Sequence, residues 1–286
     1  SKATKLVAGG RAGIRIKKRS KDEIGVLAED FNQMSTSLNR TMKELEEKTK
    51  SQEMFTNNFA HELKTPLTSM IGYADLIRSN QLSEEDVVTY ANQIVVEGRR
   101  LEKMSMKLMN LIVLKKQDFL LYDMDIVNFA DAVYETLLPV ADKYEIDLTV
   151  NVQPAMVRIE PDLMKTVLIN LFDNARKSMD GKGKISLFGV WVSDEYRMGI
   201  KDNGCGIDEE NLGRLTEAFY MVDKSRSRAN GGAGLGLAIC SEIVKLHQAK
   251  LQIMSKKGVG TQVSVCFPKE VCRHESMEKK ETEEEV

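Results

Sequence analysis

Apolar residues recur at helical spacing over most of the first third of the chain, and this seam limits the folds open to it. From Asp22 they fall at Ile24, Leu27, Phe31, Met34, Leu38 and Leu45, close to a coiled-coil repeat. The seam fades through the polar stretch 46–53 and resumes at Phe55, Phe59, Leu63, Leu67, Met70, Ala74 and Ile77. Pro66 sits inside this second run, where it removes a backbone donor and is expected to bend the helix or loosen a turn. Residues 79–85 (SNQLSEE) read as a loop with Ser83 as the N-cap of the next helix. A third pattern then runs through Val87, Ala91, Ile94, Leu101, Leu108 and Leu111. Two long amphipathic helices joined by a short loop make an αα-hairpin. Such a hairpin cannot bury both apolar faces alone, so a homodimer with a four-helix bundle is expected.

After about residue 118 the pattern changes. Helical stretches (127–143, 161–179, 234–247) alternate with strand-like runs at 146–152, 156–159, 184–192, 196–201, 250–255 and 262–267. They predict an α+β domain of about 150 residues, large enough for its own core. Residues 269–286 are charged, end in EEEV and read as a solvated tail. A hydrophobic content of 42% and a charged content of 29% predict a folded chain. The net charge of −2 favours neither nucleic acid nor a membrane surface as partner. Cys205, Cys240, Cys266 and Cys272 are scattered without a C-x-x-C pair, which argues against a disulfide framework or zinc site and for a reducing compartment. No apolar run reaches the roughly 18–20 residues that span a bilayer, and no signal peptide opens the chain. The chain starts at Ser1 without a Met and is expected to be a piece of something longer.

Candidate chemistry starts in Phe59-Ala60-His61-Glu62-Leu63-Lys64-Thr65-Pro66-Leu67. Phe59 and Leu63 lie on the seam, so His61 points away from it, and Thr65 shares the His61 face four residues on. Glu62 lies about 100° round the helix, so a histidine, a carboxylate and a hydroxyl are expected on one exposed side. Neutral imidazole is a good nucleophile near pH 7, and a neighbouring carboxylate can hold its Nδ1 proton. A lone surface histidine is more often a bystander, so the rest of the chain has to decide.

Three further segments share a logic. Asn170, Asn174 and Lys177 fall at i, i+4 and i+7 on one helix face, where carboxamide oxygens suit Mg²⁺ and the ammonium suits phosphate. Asp202-Asn203-Gly204-Cys205-Gly206 follows a strand; its glycines allow a close backbone approach and its aspartate can accept from an amine. Gly231-Gly232-Ala233-Gly234-Leu235-Gly236 opens a helix, where bare backbone N–H groups suit phosphate. It is neither a P-loop nor a dinucleotide fingerprint. The stretch 213–230 before it has few apolar anchors and reads as a lid. Each segment alone could be a polar helix face, a strand-ending turn or a linker.

In this order, the four segments closely resemble the histidine kinase family. Phe59–Leu67 is similar to its H box, Asn170–Lys177 to its N box and Asp202–Gly206 to its G1 box. Glu217–Tyr220 is similar to the F box, Gly232–Gly236 to the G2 box, and Gly258–Thr261 to a further glycine segment. Residues 22–34, with DEIG before FNQM, resemble the second half of a HAMP signal-relay module. The resemblance spans about residues 5–268. It implies a partial HAMP segment (1–45), a dimerising phosphotransfer hairpin (46–117), an ATP-binding α+β sandwich (118–268) and a tail (269–286).

At matching positions the resemblance implies His61 as phosphoacceptor, Glu62 as acid/base partner, and Thr65 as the residue that positions a water for dephosphorylating a partner. Asn174 would hold Mg²⁺, with Asn170 and Lys177 near the phosphates. Asp202 would bind the adenine amine in a pocket shaped by Gly204 and Gly206, and Gly232, Gly234, Leu235 and Gly236 would wrap the phosphates of ATP. The implied partner is a response regulator whose aspartate receives the phosphoryl group. The HAMP-like piece implies a membrane-anchored protein with this chain as its cytoplasmic end. Departures from the family pattern are Ala233 for a common Thr, Met221 for a frequent Arg, and Gln248-Ala249 where a Gly pair is usual. Rival readings are a gyrase-like or chaperone-like ATPase and a scaffold without kinase activity. The ATPases use a glutamate four residues before the metal-binding Asn; this chain has Asn170 there, and a carboxamide cannot act as a base.

Overall fold

The computed structural model describes residues 15–17, 23–79, 81–114, 119–179, 181–222 and 234–273. Gly231, Gly232, Ala233, residues 223–230 of the expected lid and the acidic end of the tail lie outside the described residues. The chain divides into two compact units, Ser1–His61 and Glu62–Val286, and helix α1 (Glu23–Ser79) belongs to both.

In the first unit the segment 15–17 is tied to α1 by two bonds. Ile16 N donates to Asn32 Oδ1 (2.7 Å) and Asn32 Nδ2 donates to Ile16 O (2.9 Å). Gly25, Ala28 and Ser35 are buried, whereas Ile24, Leu27, Met34, Leu38 and Leu45 of the expected seam are exposed within one chain. Phe55 and Phe59 stack one turn apart, with ring centroids at 6.4 Å.

The second unit holds the rest of α1 and helix α2 (Glu84–Leu114). Ser83 caps α2 as expected: Asp86 N donates to Ser83 Oγ (3.1 Å), which in turn donates to Asp86 Oδ2 (2.7 Å). Across the hairpin Tyr73 stacks on Tyr90, centroids 5.7 Å apart. The helix α1 continues through Pro66, whose ring is buried, so no loosened turn is found there.

The α/β part follows in the order β1 (Tyr122–Asp125), α3 (Ile126–Lys143), β2 (Ile146–Val152), β3 (Met156–Ile159), α4 (Pro161–Lys177), β4 (Gly183–Val192) and β5 (Glu195–Asp202). A short α5 (Glu209–Leu212), α6 (Gly236–Leu246), β6 (Lys250–Lys256), β7 (Gly260–Pro268) and β8 (Cys272–Arg273) complete it. Five strands form one sheet in the order β2-β4-β5-β7-β6, parallel only between β2 and β4. Helices α3, α4 and α6 pack side by side on this sheet. Between the layers lie Val133, Leu137, Val167, Leu168, Phe172, Ile185, Leu187, Met198, Ile243 and Val265, all essentially without exposure. A second sheet, β1-β3-β8, was not foreseen, because its outer strands are only four and two residues long. Its last strand corrects the expected tail: residues 269–273 form a 3-10 turn and a strand paired to Val157, with Cys272 buried.

His247 joins two helix ends. It is fully buried at the C-cap of α6, and its Nε2 accepts from Glu160 N (2.9 Å) at the N-cap of α4. Nδ1 therefore carries the proton and donates to Ile243 O (2.7 Å). Burial holds the ring below the ordinary histidine range, so it stays neutral and keeps that acceptor.

Candidate functional site

The residues that suggested chemistry on α1 do not share one environment. His61 is exposed, Thr65 is half-buried and Glu62 is buried. The expectation that Glu62 stands on the exposed side is corrected. Positions 59, 62, 63 and 66 follow the i, i+3, i+4, i+7 stripe, which places Glu62 with Phe59, Leu63 and Pro66 on the inward face. A carboxylate can sit there because Arg100 of α2 reaches it, with its Nη2 3.6 Å from Glu62 Oε2.

A cleft of about 90 Å³ lies between α4 and the sheet. Leu171, Asn174, Ala175 and Ser178 line it from α4 and its C-cap; Asp202, Cys205, Gly206 and Ile207 line it from the loop after β5. Thr261 of β7 and Leu237 of α6 also line it. Two of the four expected segments therefore meet at one cavity, and the glycine segment reaches it through Leu237, the residue after Gly236. Asp202 stands at its base, nearly buried. Its Oδ1 accepts from Gly204 N (2.8 Å), Thr261 N (3.3 Å) and Ser178 Oγ (3.3 Å). All three bonds fall on Oδ1, and Oδ2 takes part in none of them. Burial pushes the Asp202 carboxyl up from its ordinary value, against the opposing pull of those hydrogen bonds.

The glycines explain themselves by space. A side chain at Gly204 would run into Ser178 Oγ and Asp202 Oδ1. Gly206 has φ +66° and packs on the Lys256 carbonyl, so both the conformation and the space exclude a side chain. Gly234, also left-handed at φ +65°, lies against Phe219 of the F-box-like segment, whose N–H donates to Gly234 O (2.7 Å). Leu235 is buried and Gly236 starts α6 beside the Asn face of α4: a Cβ built there would lie 3.3 Å from Asn170 Oδ1. The N-terminus of α6 is thus brought to Asn170 and Asn174.

Two residues of this helix face hold local partners. Asn170 donates its amide to Thr166 O (2.9 Å), leaving Oδ1 toward Gly236. Lys177 does not point its charge at the cleft; its Nζ pairs with Asp173 Oδ2 (2.7 Å), and Arg176 pairs with the other oxygen of that carboxylate (2.6 Å). Burial raises the Asp173 carboxyl, but the two hydrogen bonds outweigh it and hold the group below its ordinary value. Ser178 and Thr261 were missed as ligands of Asp202, although Ser178 directly follows the Asn helix and Thr261 closes Gly258–Thr261. Arg100 and His247 gave no local signal, since each acts through a contact distant in sequence.

Among known proteins, the family model for the HAMP domain matches residues 1–40. That for the His Kinase A (phospho-acceptor) domain matches 51–111, and that for the histidine kinase-, DNA gyrase B- and HSP90-like ATPase matches 159–271. Sensor histidine kinase YclK of Bacillus subtilis is 31% identical over 270 residues, covering 93% of this chain and 57% of its own length. Sensor histidine kinase MtrB of Mycolicibacterium paratuberculosis is 30% identical over 277 residues, covering 94% of this chain and 48% of its own length. The chain spans about half the length of the curated relatives it matches. The solved structure of histidine kinase ThkA in complex with the response regulator protein TrrA has a TM-score of 0.62 at 21% identity, covering 79% of this chain and 66% of that one. Histidine kinase AdeS of Acinetobacter baumannii has a TM-score of 0.53 at 21% identity, covering 73% of this chain and 97% of its own, and these two likenesses speak for the fold. With a HAMP segment, a phospho-acceptor hairpin and an ATP-binding sandwich in one order, the chain belongs to the sensor histidine kinases of two-component systems.

Proposed function

We propose that this chain transfers the γ-phosphoryl group of ATP to His61 and that the phosphoryl group then passes to an aspartate of a response regulator. The observation that carries this reading is the convergence of Asn174, Asp202, Gly206 and Leu237 on one cleft, in a chain that also presents an exposed His61. The adenine amine would donate to Asp202 Oδ2. Backbone N–H groups at the start of α6 would meet the phosphates. Mg²⁺ fits the Asn174 carboxamide oxygen as an ion carried by the nucleotide, bound by phosphates, water and one protein oxygen. No group of three or more His, Cys, Asp or Glu among the described residues could hold a metal by itself. When bound, the ion offsets negative charge on the phosphates.

In the transfer, His61 Nε2 forms a bond to the γ-phosphorus as the bond to the bridging oxygen breaks, and ADP leaves. Glu62 holds the Nδ1 proton and offsets the charge on the ring. Thr65 positions a water for the reverse traffic, dephosphorylation of the regulator. Hydrolysis as the main reaction is disfavoured by Asn170, which offers an amide where a base is needed. The exposed apolar faces of α1 and α2 support a homodimer, and the HAMP match supports membrane anchoring with this chain on the cytoplasmic side. None of the helices among the described residues is long and apolar enough to cross a membrane.

Incubation with labelled Mg-ATP is expected to give an acid-labile, base-stable phosphate that His61→Gln abolishes. Asn174→Ala should lose labelling by itself but still accept phosphate from a wild-type subunit. Undiminished labelling of His61→Gln would refute the assignment.

A further inference from the structure

The contact that buries Glu62 holds more charge than a simple ion pair. The Arg100 guanidinium reaches two carboxylates, Glu62 Oε2 on α1 at 3.6 Å and Glu97 Oε2 on its own helix at 3.5 Å. All three side chains are largely withdrawn from water, at 18%, 5% and 22% exposure for Arg100, Glu62 and Glu97. Both distances lie beyond the roughly 2.7–2.9 Å of a closed charge-assisted hydrogen bond. One cation is therefore shared almost equally by two acids and closed on neither. A small rotation of the guanidinium would close it on one acid and open it from the other.

We propose that Arg100 and Glu97 form a latch on Glu62, making Arg100 a positioning residue for phosphoryl transfer. The inference rests on the reading of Glu62 as the carboxylate that serves the neighbouring His61. While Arg100 holds Glu62, the carboxylate stays on the inward stripe of α1. Transfer requires Glu62 to leave Arg100, and a half-buried guanidinium abandoned by its acid would be costly. Glu97, three residues away on the same helix, takes up the guanidinium as Glu62 leaves, so the charge is never left alone. The device lies at the hairpin's inner face, where a shift between α1 and α2 would change which acid is nearer. The hairpin is thereby able to favour or disfavour labelling without touching the ATP cleft.

The test uses the full chain and rates of autophosphorylation at varied ATP. Glu97→Gln removes the alternative partner and should slow labelling at saturating ATP by about tenfold, with the KM for ATP unchanged. The double variant Glu97→Gln/Arg100→Gln removes the latch as well and should recover to within about twofold of wild type. A merely structural ion pair predicts the reverse, a double variant no faster than the single one. Glu97→Asp keeps the charge and should label at close to the wild-type rate. If the double variant fails to fold by circular dichroism, the contrast between Glu97→Asp and Glu97→Gln decides. Normal labelling by Glu97→Gln, an equal loss in Glu97→Asp, or a folded double variant slower than the single overturns the proposal. His61→Gln runs alongside: its continued labelling sinks the functional reading and the latch with it, whereas its silence beside a normal Glu97→Gln sinks the latch alone.

Discussion

Asp202 shows how much work one residue divides between its two oxygens. Oδ1 is committed to Gly204, Thr261 and Ser178, which fixes the plane of the carboxylate. Oδ2 is thereby aimed without needing a side-chain partner of its own. Burial raises the group's pKa, so protonation intrudes at a higher pH than for an ordinary aspartate near 3.9. The ionised form is the acceptor for an amine. Nucleotide affinity is therefore expected to fall as pH drops through that raised value, and binding titrations with a fluorescent ATP analogue across the acid range will show it. In the empty domain the sign is opposite: stability declines as pH rises from the unfolded-state value through the raised folded one. Asp202→Asn keeps the shape but presents an amide, and should weaken binding by about 2 kcal/mol, roughly thirtyfold. An Asp202→Asn protein with wild-type Kd and an unchanged pH profile would refute the amine contact. His61, by contrast, gives little away in its own surroundings, and its weight comes from the cleft.

Among the elements, α6 has a C-terminus that is both closed by hydrogen bonds and strained. Its C-terminus closes with Gln248 N donating to Lys245 O (3.0 Å) and Ala249 N donating to Val244 O (3.1 Å), the paired bonds of a Schellman motif. That motif needs a left-handed residue, and Gln248 supplies it at φ +54°. The family's usual glycine has no Cβ to strain there, so the departure seen in the sequence has a physical meaning. Gln248→Gly should stabilise the domain by about 1 kcal/mol, read as a rise of a few degrees in the melting temperature. A fall in melting temperature would contradict it. The same helix shows what the sequence made legible. The 3.6 and 2 periods place α3, α4, α6 and the five longer strands to within about two residues, because each buries one continuous face. The short β1 and β8 carry too few residues for a period. Glu62 departs from the expectation for a different reason: a charge is expected to face water, although the spacing from Phe59 to Pro66 puts it inward. Its partner Arg100 is 38 residues further along α2, beyond any local pattern. In the cleft, Asn174 and Asp202 were readable from their segments, whereas the pairing of Lys177 with Asp173 depends on rotamers that spacing does not set.

At the scale of the whole molecule, the hairpin carries apolar surface that the described residues of one chain leave exposed. Leu67, Ile71 and Leu76 on α1 and Val88, Val95 and Val96 on α2 are all exposed, with Ile71 at 62% and Val96 at 57%. Fully burying such a side chain contributes roughly 1.5–3 kcal/mol, so a patch of this size strongly favours association. A second copy would offer the same two faces and close the four-helix bundle expected from the seam. The chain is therefore expected to run as a dimer of its 32.2 kDa protomer in light scattering at micromolar concentration. Its hairpin should unfold at a temperature that rises with protein concentration, since association stabilises only the folded state. Ile71→Asp places a charge in the centre of that face and should shift the mass to the protomer, while Asp202 and the ATP cleft, built wholly from the α/β domain, keep their affinity for nucleotide. A wild-type chain that remains a protomer, or an Ile71→Asp chain that remains a dimer, would show that these faces are covered in another way.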